Sequence, residues 1–225
     1  MKLIIFDCDG TLVDSQNMIV EAMNITFERN GISLLPRKEV LSIVGLSLPL
    51  AIETLLPGKK QSVIADVAEA YRAAFGILRR DPANHEPLYD GVRDVIETLS
   101  ARDDVLLGIA TGKSVRGVDA LLERMGLHEH FVTVQTADTH PSKPNPSMID
   151  TAVRETAVDA CDTIMIGDTT FDIRMARNAG VGALGVAWGY HPVRALVAEG
   201  ADDVASHAHE LLALVDRLLQ RRAGR

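Results

Sequence analysis

The sequence predicts an α/β protein, a Rossmann-like core of parallel strands into which an α-helical cap domain is inserted. Three observations lead there. The chain begins with a short apolar run, Leu3-Ile4-Ile5-Phe6, that breaks off into Asp7-Cys8-Asp9-Gly10-Thr11, the pattern of a central strand buried on both faces. From about Arg93 onward, strand-like and helix-like segments alternate, as in a parallel sheet built from βαβ units. Between those two regions only helical periodicities occur. The expected division is therefore residues 1–14 with 89–225 as the α/β core, and 15–88 as the cap; a separate helical domain with the first strand merely adjacent is the alternative.

After the first strand, Ser15 is placed to cap a helix whose Ile19, Met23 and Phe27 share one face and whose stop is Gly31,. A second helix starts at Pro36. A third fits Leu48 to Leu56, closed by Pro57-Gly58, and a longer one fits Gln61 to Arg80 with Ile64, Val67, Ala68, Tyr71, Phe75 and Leu78 as its apolar stripe,. In the alternating region, strands fit Val105 to Ala110, Phe131 to Gln135, Thr163 to Ile166 and Ala183 to Ala187. Helices fit Arg93 to Ala101, Val115 to Met125, Pro146 to Ala157, Phe171 to Ala179 and His207 to Arg222. The arginines at 221, 222 and 225 read as a frayed tail on the last helix.

Composition narrows the function classes. Of 225 residues, 47% are hydrophobic and 24% charged, ordinary for a folded globular chain,. The formal net charge of −8 argues against broad binding to nucleic acid or to an anionic membrane, both of which need a basic surface. No apolar run approaches a membrane span. The N-terminus meets its first acid at Asp7, too early for a signal peptide, so the expected location is cytoplasmic. Cys8 and Cys161 each adjoin a predicted strand and are expected to be buried thiols without a disulfide. A thiolate nucleophile of the C-x₅-R type at Cys8 is excluded, because the sixth residue after it is Asp14.

Four segments carry residue types suited to chemistry, each at the carboxyl end of a predicted strand or just beyond one, where open parallel sheets bind ligands. Asp7 and Asp9, two apart, can face one pocket while Cys8 faces away. Two neighbouring carboxylates suit either a divalent-metal site or an acid/base pair; an Asp-Gly turn without function is the plain alternative. Thr111-Gly112 precedes the helix at Val115, and the free N–H groups of that helix start, with the Thr111 hydroxyl, form a candidate anion site. Lys143, between Ser142 and Pro144-Asn145-Pro146, sits in a stiff turn that aims its ammonium. In Gly167-Asp168-Thr169-Thr170-Phe171-Asp172, Asp168 is placed to complete a hard-cation site with Asp7. Asp172 either orients the lysine or a metal-bound water, or simply caps a helix.

The order of these segments, D-x-D-G-T, then T-G, then K-P, then G-D-x-x-x-D, closely resembles the haloacid dehalogenase superfamily, in its phosphatase branch with a helical cap after the first motif. Residues 171–181, with Arg177, Asn178, Ala179 and Gly180, and Trp188-Gly189-Tyr190-His191 resemble the phosphoglycolate phosphatase-like group. The resemblance implies that Asp7 attacks phosphorus, that Asp9 is acid and then base, and that Thr111 and Lys143 hold phosphoryl oxygens. It implies Mg²⁺ held by Asp7, the Asp9 backbone carbonyl and Asp168, with Asp172 in support. The implied partner is a small phosphorylated metabolite. A phosphosugar mutase, and an inactive phosphate- or protein-binding module, are the other readings of the same motifs.

Gly112 stands where many relatives have Asn, so only backbone contacts to phosphate are expected there. Gly45-Leu46-Ser47-Leu48 resembles the family's specificity loop, with one hydroxyl and no charge. Arg37, Lys38, Lys59 and Lys60 are the basic residues of the cap, either reaching the substrate or solvated.

Overall fold

A computed structural model describes residues 1–81, 84 and 86–224; residues 82, 83 and 85, inside the predicted all-helical stretch, and Arg225 lie outside the described residues. The first strand, β1 (Lys2–Phe6), is followed by four helices, α1 (Gln16–Arg29), α2 (Arg37–Leu41), α3 (Leu48–Leu55) and α4 (Gln61–Arg80). The chain then alternates: α5 (Val92–Ser100), β2 (Val105–Thr111), α6 (Val115–Met125), β3 (Phe131–Thr136), α7 (Ser147–Thr156), β4 (Thr163–Gly167), α8 (Thr170–Asn178) and β5 (Gly182–Val186). It closes with α9 (Val193–Ala198), β6 (Asp203–Ala205) and α10 (Leu211–Ala223).

The six strands form one sheet in the order β3-β2-β1-β4-β5-β6, with every pairing parallel. Leu3, Ile4 and Ile5 are inaccessible to solvent, and alternation sends them to opposite faces. Ile4 and Phe6 pack with apolar residues of α5, α6 and α10, such as Ile96, Leu122 and Leu218. Leu3 and Ile5 pack on the other face with Met148 and Ile149 of α7 and Ile173 of α8. The apolar run thus reads as a central strand because each of its residues has a helix layer to bury against. Truncating Ile4 or Ile5 to Ala would cost about 2–5 kcal/mol at such a site.

Because β1 lies between β2 and β4, the chain leaves it toward β3 on one side and returns to build β4, β5 and β6 on the other. Such a reversal opens a crevice at the carboxyl edge. Helices α1 to α4 bury a core of their own, including Met23, Phe27, Ile52 and Ile64.

Several local expectations change. Ser15 does not cap α1 with its side chain; its hydroxyl is 2.8 Å from Tyr190 Oη instead. Cys8 is buried but Cys161 is exposed, in a short 3-10 turn ahead of β4. Arg222 is not frayed: its guanidinium donates to the carbonyls of Ala160, Cys161 and Gly180 and ties α10 to the start of β4 and the end of α8. The short pair α9 and β6 has no counterpart in the sequence reading. Three residues at a sheet edge, Asp203-Val204-Ala205, carry too little alternation to register as a strand.

Candidate active site

Asp7 follows directly on β1, and its N–H bonds to the Ile166 carbonyl at 2.9 Å, continuing the β1–β4 ladder one residue past the strand. The chain then turns sharply. N–H groups of Thr11, Leu12 and Val13 converge on the Cys8 carbonyl, and Gly10 takes φ +89°, a left-handed conformation that a side chain resists,. A Cβ at Gly10 would also collide with the Asp168 carboxylate. The glycine of D-x-D-G-T therefore makes room for an acid 158 positions away in the chain, counted from the residue numbers. The Trp188 indole N–H fixes the turn from outside by donating to the Thr11 carbonyl at 3.1 Å.

Asp168, directly after β4, is fully buried. Its Oδ1 accepts from the Thr11 hydroxyl at 3.0 Å and its Oδ2 from the Tyr190 N–H at 2.8 Å. Asp172 lies one turn into α8 and serves both roles that its spacing suggested. Its Oδ2 accepts from the Thr169 N–H and hydroxyl in a capping box, while its Oδ1 accepts from Lys143 Nζ at 2.6 Å,. Lys143 reaches it from the turn between β3 and α7, where the Lys143–Pro144 peptide is cis and Asn178 of α8 donates to the Pro144 carbonyl at 2.8 Å.

Carboxylate oxygens of Asp7, Asp168 and Asp172 lie within 4.8 Å of one another, all in buried residues. Lys143 Nζ is 2.8 Å from Asp7 Oδ1, and among the described residues no other donor reaches either buried Asp7 oxygen. Burial, opposed by Lys143 and reinforced by Asp172, pushes the Asp7 carboxyl up to about 6. Burial also raises Asp168 well above the ordinary carboxylate range, with Asp172 and Asp7 adding to the effect. Burial alone would lower the Lys143 ammonium, but Asp172 and Asp7 hold it above its usual value. Three acids around one ammonium leave an excess of negative charge in a dry site. A hard divalent cation with oxygen ligands fits that donor set.

Asp9 does not join the cluster. Its carboxylate faces the cavity, and its Oδ1 is 2.9 Å from Lys113 Nζ. The expectation that the two strand-end aspartates share one pocket holds to the extent that both line the cavity. Their charges, however, are balanced by different lysines. Cys8 points into the core, where burial raises its thiol far above the ordinary range, so it offers no thiolate,.

Thr111 ends β2, is buried, and lines the cavity. The anion site expected at the start of α6 is partly occupied by the protein itself. Ser114 Oγ accepts from the Gly117 N–H, Asp138 Oδ2 from the Val115 N–H, and Thr111 Oγ1 from the Lys113 N–H. Gly112 has a further role, since a Cβ there would lie 2.7 Å from the carbonyl oxygens of both Gly45 and Leu46.

The cavity, of about 900 Å³, lies between this edge of the sheet and helices α1, α3 and α4. Ser142 Oγ accepts from the Ser47 N–H at 2.8 Å, and His191 bridges the Thr170 N–H and the Ser42 carbonyl at 3.1 Å each. The loop from 42 to 47 is thereby fastened over the strand ends. Lys143 and Asp168 are not on the cavity wall but directly beside Asp7, which is.

Arg37, Lys38, Lys59 and Lys60 are exposed and none lines the cavity. The cations that do line it are Arg72, Arg79 and Arg80 of α4 with Lys113 and Arg116 of the core. The sequence reading missed Lys113 and Glu86. A signal for Lys113 existed in its place directly after Thr111-Gly112; for Glu86 there was none.

Comparison with known proteins follows the same lines. A family model described as "Haloacid dehalogenase-like hydrolase" matches residues 4–186. "Probable phosphatase IndB" of Dickeya dadantii is 35% identical over 225 aligned residues, covering 94% of this chain and 95% of that one. A phosphoglycolate phosphatase of Vibrio parahaemolyticus is 30% identical, covering 96% of each. Among solved structures, CbbY of Rhodobacter sphaeroides in complex with phosphate superposes with a TM-score of 0.82 at 26% identity, covering 96% of this chain and 99% of that one.

Proposed function

The chain belongs to the haloacid dehalogenase-like hydrolase family, and on that premise we propose that it is a Mg²⁺-dependent phosphatase. Its substrate is a small-molecule phosphate monoester of the phosphoglycolate kind, hydrolysed through a phosphoryl group carried on Asp7. The observation that carries this reading is the state of Asp7: buried at the end of the central strand, facing the cavity, with the Lys143 ammonium 2.8 Å from Oδ1 and no other donor on either oxygen among the described residues. A carboxylate held by a single cation, with its second oxygen free, is available as a nucleophile.

A carboxylate approaching a phosphate meets repulsion of roughly 5 kcal/mol per charge pair at contact in an effective dielectric of about 20. Lys143 offsets part of it beside Asp7. The carboxylates of Asp7 and Asp168 with the Asp9 carbonyl would hold Mg²⁺, which when bound supplies positive charge at the phosphoryl oxygens. Asp7 attacks phosphorus in line with the leaving oxygen, while Thr111, on the cavity wall, holds a phosphoryl oxygen and Lys143, beside Asp7, turns part of its charge to another once the phosphoryl group approaches. Asp9, on the cavity wall, protonates the leaving oxygen and afterwards takes a proton from the water that releases phosphate. Residues 15–88 act in this reading as a cap that selects the substrate and keeps bulk water out. Both sides of the fastened loop and the cations of α4 support that role. The reading includes a cytoplasmic location, which fractionation of the native cell would test. Among the described residues, no helix is long and apolar enough to cross a membrane.

Rapid quench and intact-mass analysis with nitrophenyl phosphate test the proposal. Asp9→Asn should accumulate an adduct of about 80 Da, one phosphoryl group, and the Asp7→Asn/Asp9→Asn double variant should not. Phosphate release from several monoesters by the wild type, without interconversion of sugar phosphates, favours the phosphatase over the mutase. An Asp7→Asn protein with unchanged turnover would overturn the assignment.

A further inference from the structure

The two aspartates of the first motif are each met by a lysine, and each lysine is held from behind by a second carboxylate. Lys143 donates to Asp172 at 2.6 Å and stands 2.8 Å from Asp7. Lys113 donates to Glu86 Oε1 at 3.0 Å and stands 2.9 Å from Asp9 Oδ1. Neither Asp172 nor Glu86 lines the cavity. In both pairs the near oxygen of the aspartate is buried and has the lysine as its one donor among the described residues.

We propose that Lys113, oriented by Glu86, is a positioning residue for Asp9, the counterpart of what Lys143 and Asp172 are for Asp7. The inference rests on the phosphatase reading above. Asp9 lies beyond the strand end, and Lys113 is the only cation within ion-pair distance of its carboxylate among the described residues. A general acid must come within about 2.6–3.2 Å of the oxygen it protonates, and a displacement near 1 Å costs roughly a hundredfold in rate. A carboxylate held by one lysine is only as well placed as that lysine.

Glu86 sets the lysine. It is 1% exposed, between α4 and the sheet, where a carboxylate needs paired charge or hydrogen bonds. Three cations surround it: Lys113, Arg124 of α6 at 3.5 Å and Arg79 of α4 at 3.6 Å. Arg124 also donates to the Glu86 carbonyl at 3.3 Å. The Phe75 ring of α4 lies under both Lys113 Nζ, at 5.3 Å, and the Arg79 guanidinium, at 5.0 Å,. Two of these contacts belong to α4, so Lys113 feels where the helical segment sits and conveys its position to Asp9.

Leaving-group dependence tests the assignment. Nitrophenolate departs with little protonation, whereas an alkoxide needs the proton that Asp9 carries. Lys113→Met and the near-isosteric Glu86→Gln should slow formation of the aspartyl-phosphate from an alkyl phosphate, read by rapid quench in a single turnover, by about tenfold or more. From nitrophenyl phosphate the same step should slow by no more than about threefold, while breakdown of the adduct, for which Asp9 is the base, slows alike after either substrate. Lys113→Arg should restore most of the alkyl phosphate rate. Equal slowing of adduct formation from both substrates in Glu86→Gln, or a rise in KM with kcat unchanged in Lys113→Met, would overturn the proposal, the latter making Lys113 a substrate anchor. Should Lys113→Met fail to fold, Glu86→Gln and Lys113→Arg decide on the same ratio. Absence of wild-type turnover on every monoester would overturn the phosphatase reading itself, and this one with it.

Discussion

Lys143 stands between Asp172, at 2.6 Å, and Asp7, at 2.8 Å, and among the described residues no other donor reaches the Asp7 oxygens. In the proposed mechanism, anchor and nucleophile are thus separate carboxylates on one ammonium. Asp172→Ala should remove the anchor and the capping box of α8 together, leaving the buried ammonium with Asp7 as its one remaining carboxylate. The expected cost is about 3 kcal/mol of stability, read by urea unfolding, with a fall in kcat of more than about tenfold. Asp172→Asn keeps an oxygen for Thr169 and should lose activity with a smaller loss of stability. Equal stability of Asp172→Ala and wild type would contradict the pairing.

The parts legible in the sequence were those that repeat a local rule. Leu3 to Phe6 read as a central strand because burial on both faces erases polar alternation, and Asp7, Thr111, Lys143 and Asp168 each stand where a strand pattern ends or soon after. Residues whose role depends on a distant partner were not legible in that way. Glu86 has no neighbour in sequence that marks it; its three cations come from positions 79, 113 and 124. The basic cap residues singled out from the sequence, such as Lys59 and Lys60, proved solvated, because facing in or out depends on how α4 packs rather than on local composition. At Ser15 the cap rule named the right residue type and the wrong bond, since Tyr190, 175 positions on, claims the hydroxyl.

Asp7→Asn should lose turnover by at least about a thousandfold while keeping the fold, because the amide matches the carboxylate in shape and lacks its nucleophilic charge. In metal-free protein the same change should raise the melting temperature. Asp7 carries a charge that burial and Asp172 disfavour, so removing it relieves the folded state. Scanning calorimetry in a chelator would check this, and a lower melting temperature would show that the pairing with Lys143 outweighs the burial of the Asp7 charge.

The pH dependence of the proposed Mg²⁺ binding has a definite sign. The Asp7 carboxyl is pushed up to about 6 from an ordinary 3.8, by burial first. Between those values the folded, metal-free chain retains a proton that the unfolded chain has released. The contribution of this group to stability is therefore complete below about pH 4 and declines as the pH rises through about 6. Mg²⁺ competes with that proton, and Asp168, raised in the same direction, strengthens the effect. The shift in melting temperature on adding Mg²⁺ should be small near pH 5 and larger near pH 8. A larger shift at the lower pH would remove Asp7 and Asp168 from the metal site.

Gly112 offers the sharpest test of how the loop over the site is fitted. The family resemblance assigned this position only the loss of an Asn side chain, whereas the structure shows backbone occupying that space: the Gly45 and Leu46 carbonyls would stand 2.7 Å from a Cβ. Contacts that short cannot be relieved by a rotamer change, since both neighbours are main chain and Gly45 itself has φ +102°. Gly112→Ala should therefore displace residues 43–47 outward and loosen the bond from the Ser47 N–H to Ser142. Asp7, Asp168 and Lys143 lie on the sheet side and should not move. Expected outcomes are faster amide exchange at Leu46 and Ser47, KM raised by about tenfold on the natural class of substrate, and kcat on nitrophenyl phosphate within about threefold of wild type. Gly112→Asn should exaggerate the first two. Unaltered exchange in residues 43–47 would show that the loop does not rest on Gly112, and the specificity assigned to that loop would lose its structural support.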